Sequence, residues 1–277
     1  MRLKDTVHFN WYKNLFIVFI IFICFVGASS ITGADFYEVV TNLDQMVAFL
    51  KKMMHPDFAY LPKLVDPIIK TLKMSILGTA IGVAIAIPFS FLATNVATKN
   101  RIVTTIVRFF LNVIRTIPNL LLAAILVSVI GIGEGTGVLT IAIFTFGMVS
   151  QLIYESIETI DLAPIEAMEA VGANKIQVAV YAIFPQILTA VASYTFYALE
   201  INIRASTVLG YVGAGGIGII LNSSLALFRY DRVSIVILLI FVVVLIVDGI
   251  SNAIRRRLVW RRQKHISYLF GLQLLPS

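Results

Sequence analysis

Residues 161–172 read Asp161-Leu162-Ala163-Pro164-Ile165-Glu166-Ala167-Met168-Glu169-Ala170-Val171-Gly172, a polar interruption in an otherwise apolar chain. Asp161 and the first-turn Pro164 favour the start of a helix here, and Gly172 with the two residues after it favours its end. Alanines at positions 167, 170 and 173 recur at three-residue spacing, which predicts a face of small side chains that another protein can approach closely. The stretch therefore predicts either a short helix-turn-helix that docks a partner at one membrane face or an ordinary solvated connection between two spans.

Composition indicates a membrane protein. The 277 residues are 59% hydrophobic and 13% charged, with a mean hydropathy of +0.92, which is too apolar for a soluble fold. The net charge of +7 could indicate a nucleic-acid partner, but its position argues otherwise. Six basic residues directly follow the last apolar run, where the cytoplasmic flank of a membrane span is expected: Arg255, Arg256, Arg257, Arg261, Arg262 and Lys264. The charge is interpreted as a topology signal, and no nucleic-acid partner is predicted.

Apolar runs long enough to cross a bilayer recur along the chain and predict an all-α, polytopic fold with about six transmembrane helices. The runs are Asn14–Ala34, Lys73–Lys99, Ile102–Ile130, Gly135–Tyr154, Ile176–Leu199 and Val233–Ile254. Pro118 removes a backbone donor inside the third run, so that helix is expected to be kinked or split. For the first run, a cleavable signal peptide is the alternative.

The runs and their flanks divide the chain into three parts. Residues 1–66 hold the first span and an amphipathic helix over residues 36–54 on the outer surface, followed by an irregular connection at Pro56, Pro62 and Pro67. Residues 67–257 form a transmembrane core that contains the polar loop 161–176, and residues 258–277 form a basic cytoplasmic tail. Both termini are expected in the cytoplasm.

The segment Ala205–Phe228 is uncharged but unsuited to a full lipid-facing helix. It carries five glycines, at positions 210, 213, 215, 216 and 218, and a further full span there would place the basic tail outside. A re-entrant or protein-packed hairpin is expected. The run Gly213–Gly218 matches G-x-G-x-x-G, but a dinucleotide site needs a strand before it and a helix after it in a βαβ unit, so nucleotide binding is not expected. No phosphate-binding G-x-x-x-x-G-K-[ST] occurs, so ATP is expected to be bound by a partner.

Charge within an apolar run is costly unless it faces protein or water, and three charged residues are the candidates for a functional role on this ground: Arg115, Glu200 and Arg204. Glu200 and Arg204 are four residues apart and can form a helical ion pair. The alternative is that one or both arginines line a path for an anion, since guanidinium suits phosphoryl oxygens.

Two motifs resemble those of ABC-importer permeases. The polar loop resembles their cytoplasmic EAA loop, which Glu166, Ala167, Gly172 and Pro185 match, whereas Met168, Ala182 and Phe184 depart from the pattern. The run Glu200–Gly218 resembles the permeases of phosphonate and phosphite importers.

This resemblance implies the type I ABC-importer (MetI-like) fold, a homodimer around one translocation path, and transport of a phosphorus oxyanion. It implies that two ATPase subunits, which bind ATP and Mg, dock on the loop, and that an extracytoplasmic binding protein delivers substrate. The residues implied in ATPase coupling are Glu166, Ala167, Ala170, Gly172 and Pro185. The residues implied at the path or gate are Arg115, Glu200, Arg204, Gly213, Gly215 and Gly216.

Other classes of function remain open on the sequence alone. They are a permease for another small solute, an intramembrane enzyme and a secondary transporter, the last disfavoured because six spans leave little room for inverted repeats. No nucleophile, base and orienting acid form a recognisable catalytic motif. His8, His55 and His265 lie in separate flanking segments, so neither a metal site nor a catalytic residue is predicted.

Overall fold

The computed structural model describes the backbone of residues 11–33 and 36–270, and within these ranges every regular element is helical. The chain divides into two compact units between Met54 and His55. The predicted tail 258–277 lies partly outside the described residues.

The first unit contains α1 (Trp11–Thr32), α2 (Phe36–Thr41) and α3 (Leu43–Met53). The apolar side chains of α1 are exposed, as a helix that meets lipid requires. The amphipathic helix expected over residues 36–54 is instead two helices that are separated at Asn42. Asparagine disfavours a helix interior because its amide competes for backbone hydrogen bonds.

The second unit holds ten α-helices in its described part. They are α4 (Leu61–Leu92), α5 (Asn95–Thr98), α6 (Arg101–Thr116), α7 (Asn119–Ile130), α8 (Glu134–Ile157), α9 (Ala163–Ala170), α10 (Lys175–Val178), α11 (Phe184–Leu209), α12 (Ile217–Ala226) and α13 (Tyr230–Phe270). Helices α1, α4, α8, α11 and α13 are long and apolar enough to cross a membrane. The pair α6 and α7, bent by 89°, is either a broken sixth span or a re-entrant loop. The prediction of about six spans is confirmed on this count.

The prolines act in two different ways. Pro118 separates α6 from α7 with extended backbone, which confirms the predicted break. The irregular connection expected at Pro62 and Pro67 is wrong, because α4 already begins at Leu61. Pro62 lies in the first turn, where its missing N–H has no intrahelical partner to lose, and the helix continues through Pro67.

Close packing of α4 against α8 forms the centre of the second unit. A Cβ added at Gly78 would lie 2.7 Å from the Ile141 Cβ, and one added at Gly82 would lie 2.6 Å from the Thr145 Cβ. Glycines four residues apart on α4 therefore let the two backbones approach, as in other membrane helix pairs. Helix α11 packs against both helices.

Gly82→Val is expected to destabilise the second unit because the added side chain overlaps Thr145 and the carbonyl of Ala142. Overpacking of this kind costs about 1–3 kcal/mol, which corresponds to a fall in Tm of roughly 2–10 °C. Thermal unfolding of the detergent-solubilised protein measures the change. Gly249→Val is the matched control, since a Cβ at Gly249 meets nothing within 4 Å. Equal Tm values for the two variants would contradict the close α4–α8 packing.

Candidate coupling loop and translocation site

Helix α9 is closed at both ends by the residues that the sequence singles out. The Asp161 carboxylate accepts a hydrogen bond from the Ala163 N–H at 3.0 Å. At the other end Gly172 has a φ of +80°, and the N–H groups of Gly172 and Ala173 donate to the carbonyls of Glu169 and Met168, both at 3.0 Å. The predicted short helix with a glycine stop is confirmed, and the left-handed backbone explains why glycine suits this position.

The two faces of α9 differ in burial. Ile165 is 5% exposed and packs with Met168 against the main hydrophobic cluster. Glu166, Ala167 and Ala170 are exposed on the rest of the surface. The third alanine of the predicted small face, Ala173, instead packs against the hydrophobic cluster, because the chain turns at Gly172 before reaching it. Of the three alanines in the predicted small face, Ala167 and Ala170 are therefore the two that are exposed on α9.

The loop between α8 and α11 is fastened at its base. Asp161 and Gln186 exchange two hydrogen bonds, from the Asp161 N–H to Gln186 Oε1 at 3.2 Å and from Gln186 Nε2 to the Asp161 carbonyl at 3.1 Å. Pro185 is exposed in the first turn of α11, next in sequence to the Gln186 that makes these two hydrogen bonds. Asn174 and Gln177 cap α10 reciprocally, at 2.9 and 2.8 Å. Hydrogen bonds therefore close the region from Asp161 to Gln186 at its base and cap the short helix within it.

The charged residues of α11 form the helical pair that their spacing allows. A guanidinium nitrogen of Arg204 lies 2.7 Å from Oε1 of Glu200, and the side chains are 53% and 20% exposed, respectively. Arg115 is also exposed. A Cβ at Gly147, near the middle of α8, would lie 3.6 Å from Arg115 Cγ, and Asn202, which is between the paired residues, bonds Thr145 of α8 at 2.7 Å.

Arg115 and the α11 turn that carries Glu200 and Arg204 therefore lie beside the middle of α8, which is long and apolar enough to span a membrane. A charge at such a depth is stabilised by an ion pair, by water or by another protein chain. The structure brings the three predicted residues to a common depth, and their contact with a transported solute stays a prediction.

Sequence reasoning missed Asn202. It is fully buried, and its amide Nδ2 donates to Thr79 Oγ1 at 2.8 Å and to Thr145 Oγ1 at 2.7 Å, which joins α11 to α4 and α8. Its Oδ1 is buried without a hydrogen-bond partner. The available signal was an amide in an otherwise apolar stretch of helix, which is expensive in a membrane unless another helix satisfies it.

Residues 210–226, which we call the glycine segment, form a packed turn followed by the short helix α12. Gly213, Gly215 and Gly216 have φ values of +81°, +96° and +74°. The Gly213 carbonyl accepts from the Gly133 N–H at 3.2 Å, and Thr71 Oγ1 accepts from the Ile217 N–H at 2.8 Å. The ten residues of α12 span about 15 Å, too little to cross the hydrocarbon core. The expected protein-packed hairpin is confirmed, and a role as gate stays a prediction.

The family assignment follows from comparison with known proteins. Residues 86–260 match the family described as binding-protein-dependent transport system inner membrane component. The chain belongs to this family. The permease is therefore a multi-pass inner-membrane protein and a transport subunit.

Two relatives are similar along much of the chain. The phosphite transport system permease protein PtxC of Stutzerimonas stutzeri is 36% identical over 248 residues, which cover 89% of this permease and 90% of the relative. The phosphate-import permease protein PhnE of Mycolicibacterium smegmatis is 32% identical over 214 residues, or 77% of this permease and 40% of that longer relative.

Solved structures share the fold. The permease chain of the inward-facing MetNI methionine ABC transporter superposes with a TM-score of 0.65 at 21% identity, over 73% of this permease and 99% of that chain. A bacterial alginate ABC transporter, in complex with an alginate-bound periplasmic protein, gives a TM-score of 0.60 at 17% identity, over 89% of this permease and 97% of that chain. The predicted type I, MetI-like fold is confirmed.

Proposed function

We propose that this permease is the transmembrane subunit of an ATP-driven importer for phosphite, a phosphonate or a related phosphorus oxyanion. The observation that carries the proposal is the 36% identity with a phosphite permease over about nine tenths of both chains. The exposed surface of α9 agrees with the proposal. An importer subunit whose ATP is bound by a partner needs a surface on which the ATPase can dock.

In this proposal two permease copies enclose one path. One ATPase subunit, which binds ATP and Mg, docks on the exposed surface of each α9, at Glu166, Ala167 and Ala170. A binding protein delivers the substrate at the opposite face. Closure of the ATPase pair moves the loops, and the spans alternate between two conformations that open to opposite sides. Arg115 and Arg204 then offset the repulsion of an anion at the middle of the membrane.

Reconstitution tests the proposal directly. Proteoliposomes that contain the permease with the ATPase of the same transport system, and the binding protein outside, should import labelled phosphite only when ATP is present. Unlabelled phosphonate, phosphate and sulfate as competitors rank the accepted anions. Uptake driven by an ion gradient without the ATPase would indicate a secondary transporter, and chemical turnover by the purified chain would indicate an enzyme. Uptake of an unrelated solute alone would keep the importer and overturn the substrate.

The proposed orientation places α9, α10 and both termini in the cytoplasm, since Lys99, Lys175 and the basic residues from Arg255 then all face inside. In a Cys24→Ser background, Lys175→Cys should resist a membrane-impermeant maleimide in intact cells and react after the membrane is opened. Ile132→Cys is the matched control, because Ile132 is 78% exposed in the turn between α7 and α8, at the other end of α8. Rapid labelling of position 175 in intact cells would reverse the topology.

A further inference from the structure

The connection between α4 and α6 is short and fixed by its own hydrogen bonds. We call residues 94–100 the bracket. Thr94 caps α5 through the Val96 N–H at 3.2 Å, and Asn100 caps α6 through the Ile102 N–H at 3.0 Å. Thr98 Oγ1 donates back to the Phe91 carbonyl of α4 at 2.8 Å. The bracket is therefore held as an extension of the end of α4.

The bracket contacts the loop between α8 and α11, which we call the coupling loop, on both sides of the turn at Gly172. The ammonium group of Lys99 pairs with the carboxylate of Glu169, in the last turn of α9. Beyond the turn, Lys175 Nζ donates to the Thr98 carbonyl at 3.1 Å. Val96 and Ala97 of α5 also pack against the hydrophobic cluster that contains Ile165 and Val178 of the loop. One exposed ion pair is weak, but these three contacts act between the same two segments.

Arg108 joins the bracket end of α4 to α8. Its Nε donates to the Ala93 carbonyl at 2.6 Å, its guanidinium pairs with Glu158, and its Cζ lies 4.6 Å from the centre of the Tyr154 ring. One α6 side chain thus satisfies the final turn of α4 and holds the C-terminal end of α8. The ends of α4 and α8 are therefore joined beside the loop by a side chain from the middle of α6.

In its N-terminal half, at Thr71 and Met74, α4 contacts the glycine segment. The helix has 32 residues and is about 48 Å long at 1.5 Å per residue. Thr71 accepts the Ile217 N–H, and a Cβ at Gly215 would lie 3.2 Å from the sulfur of Met74. A single helix therefore connects the coupling loop with the glycine segment.

We propose that the bracket couples the α9 loop to α4 through Lys99 and Thr98. Movement of the loop is then transmitted to α4 and to the glycine segment, and these parts move together as one rigid body. The proposal rests on the proposed function, since it names the route by which the docked ATPase would move the spans. Within the loop itself, α9 follows a short segment after α8, and α10 leads to α11 through a π-helical turn over residues 179–183. The contacts of the bracket add a lateral route that the order of the chain does not reveal.

Charge reversal tests the role of Lys99 as a positioning residue. In reconstituted importer, Lys99→Glu should raise the ATP hydrolysed per anion imported by roughly fivefold, because it replaces an attraction to Glu169 with a repulsion, while the ATPase still co-purifies. The double variant Lys99→Glu with Glu169→Lys should restore the ratio. Lys99→Arg is the matched control and should leave it within about twofold. An unchanged ratio in Lys99→Glu, or no recovery in the double variant, would overturn the proposal.

Cross-linking tests whether the two segments stay together during the transport cycle. With Cys24 replaced by serine, Lys99→Cys and Glu169→Cys joined by a short bismaleimide should import at the rate of the same variant before cross-linking. Equal cross-linking yields with and without trapped ATP are also expected, and this readout does not depend on import. A blocked importer, or a yield that collapses in one nucleotide state, would show that the segments separate and would overturn the proposal. Absence of ATP-driven import by the unmodified complex would instead contradict the proposed function.

Discussion

Arg204→Glu is expected to reduce ATP-driven import to background. The variant places two carboxylates one helical turn apart, at positions 200 and 204, where the guanidinium now lies 2.7 Å from Glu200. Like charges at this spacing repel, and near the middle of a membrane the cost is higher than in water. If Arg204 also faces the path, the new carboxylate repels the anion itself. Uptake of labelled phosphite by proteoliposomes measures the loss, and equal amounts of monodisperse protein exclude a folding failure.

The double variant Glu200→Arg with Arg204→Glu separates the two roles of Arg204. The double variant restores the ion pair but moves the positive charge from position 204 to position 200. The present side chain at 204 is 53% exposed, whereas the one at 200 is only 20% exposed. We therefore expect no recovery beyond about a tenth of the normal rate, as for a pair whose arginine serves the path. Recovery above half would show that the pair itself is sufficient. Normal import by Arg204→Glu alone would contradict both roles.

Local rules predicted several features of this permease correctly. The Glu200–Arg204 pair, the break at Pro118 and the end of α9 at Gly172 each depend on residues within about one helical turn, so the sequence contains all the information they need. The class and the number of spans follow from apolar runs, which the bilayer imposes on the chain through its thickness.

Helix ends were harder to predict where a charged residue ends an apolar run of the sequence but the helix itself continues. The fifth run was expected to end at Leu199, before Glu200, yet α11 continues to Leu209. Glu200 and Arg204 stop the uncharged run without stopping the helix, because each neutralises the other. The start of α4 was placed too late for a similar reason, since Pro62 and Lys63 look like loop residues but lie in its first turn.

Contacts between distant parts of the chain could not be predicted from one sequence. Asn202 bonds residues 123 and 57 positions away, and Lys99 pairs with Glu169 across 70 positions. No periodicity relates such positions, because their meeting depends on how α4, α8 and α11 pack. Chemistry could have selected Asn202 as a buried amide that needs partners, but not which threonines supply them.

The conformation of Gly172 leads to a second large effect. Gly172→Val forces a β-branched residue to a φ of +80°, a strain of about 1–3 kcal/mol. Since a Cβ there meets nothing within 4 Å, the cost comes from the backbone alone, and the loop is expected to relieve it by turning α9 away from its docking position. Import should fall at least tenfold. Gly172→Asn is the matched control, because asparagine tolerates the left-handed region, and it should keep most of the activity.

Ala170 provides the complementary test, since its replacement changes the surface of α9 without straining the backbone. Ala170 is exposed, so phenylalanine fits the isolated permease and should obstruct only the close approach of an ATPase. Ala226→Phe, at another exposed alanine in the last turn of α12, is the control. Both Ala170→Phe and Gly172→Val should insert in the membrane normally, because their apolar spans are unchanged, and should lose ATPase co-purification and import together. If both retained full association and import, the loop would be only a solvated connection, and the ATPase would have to dock elsewhere on the permease.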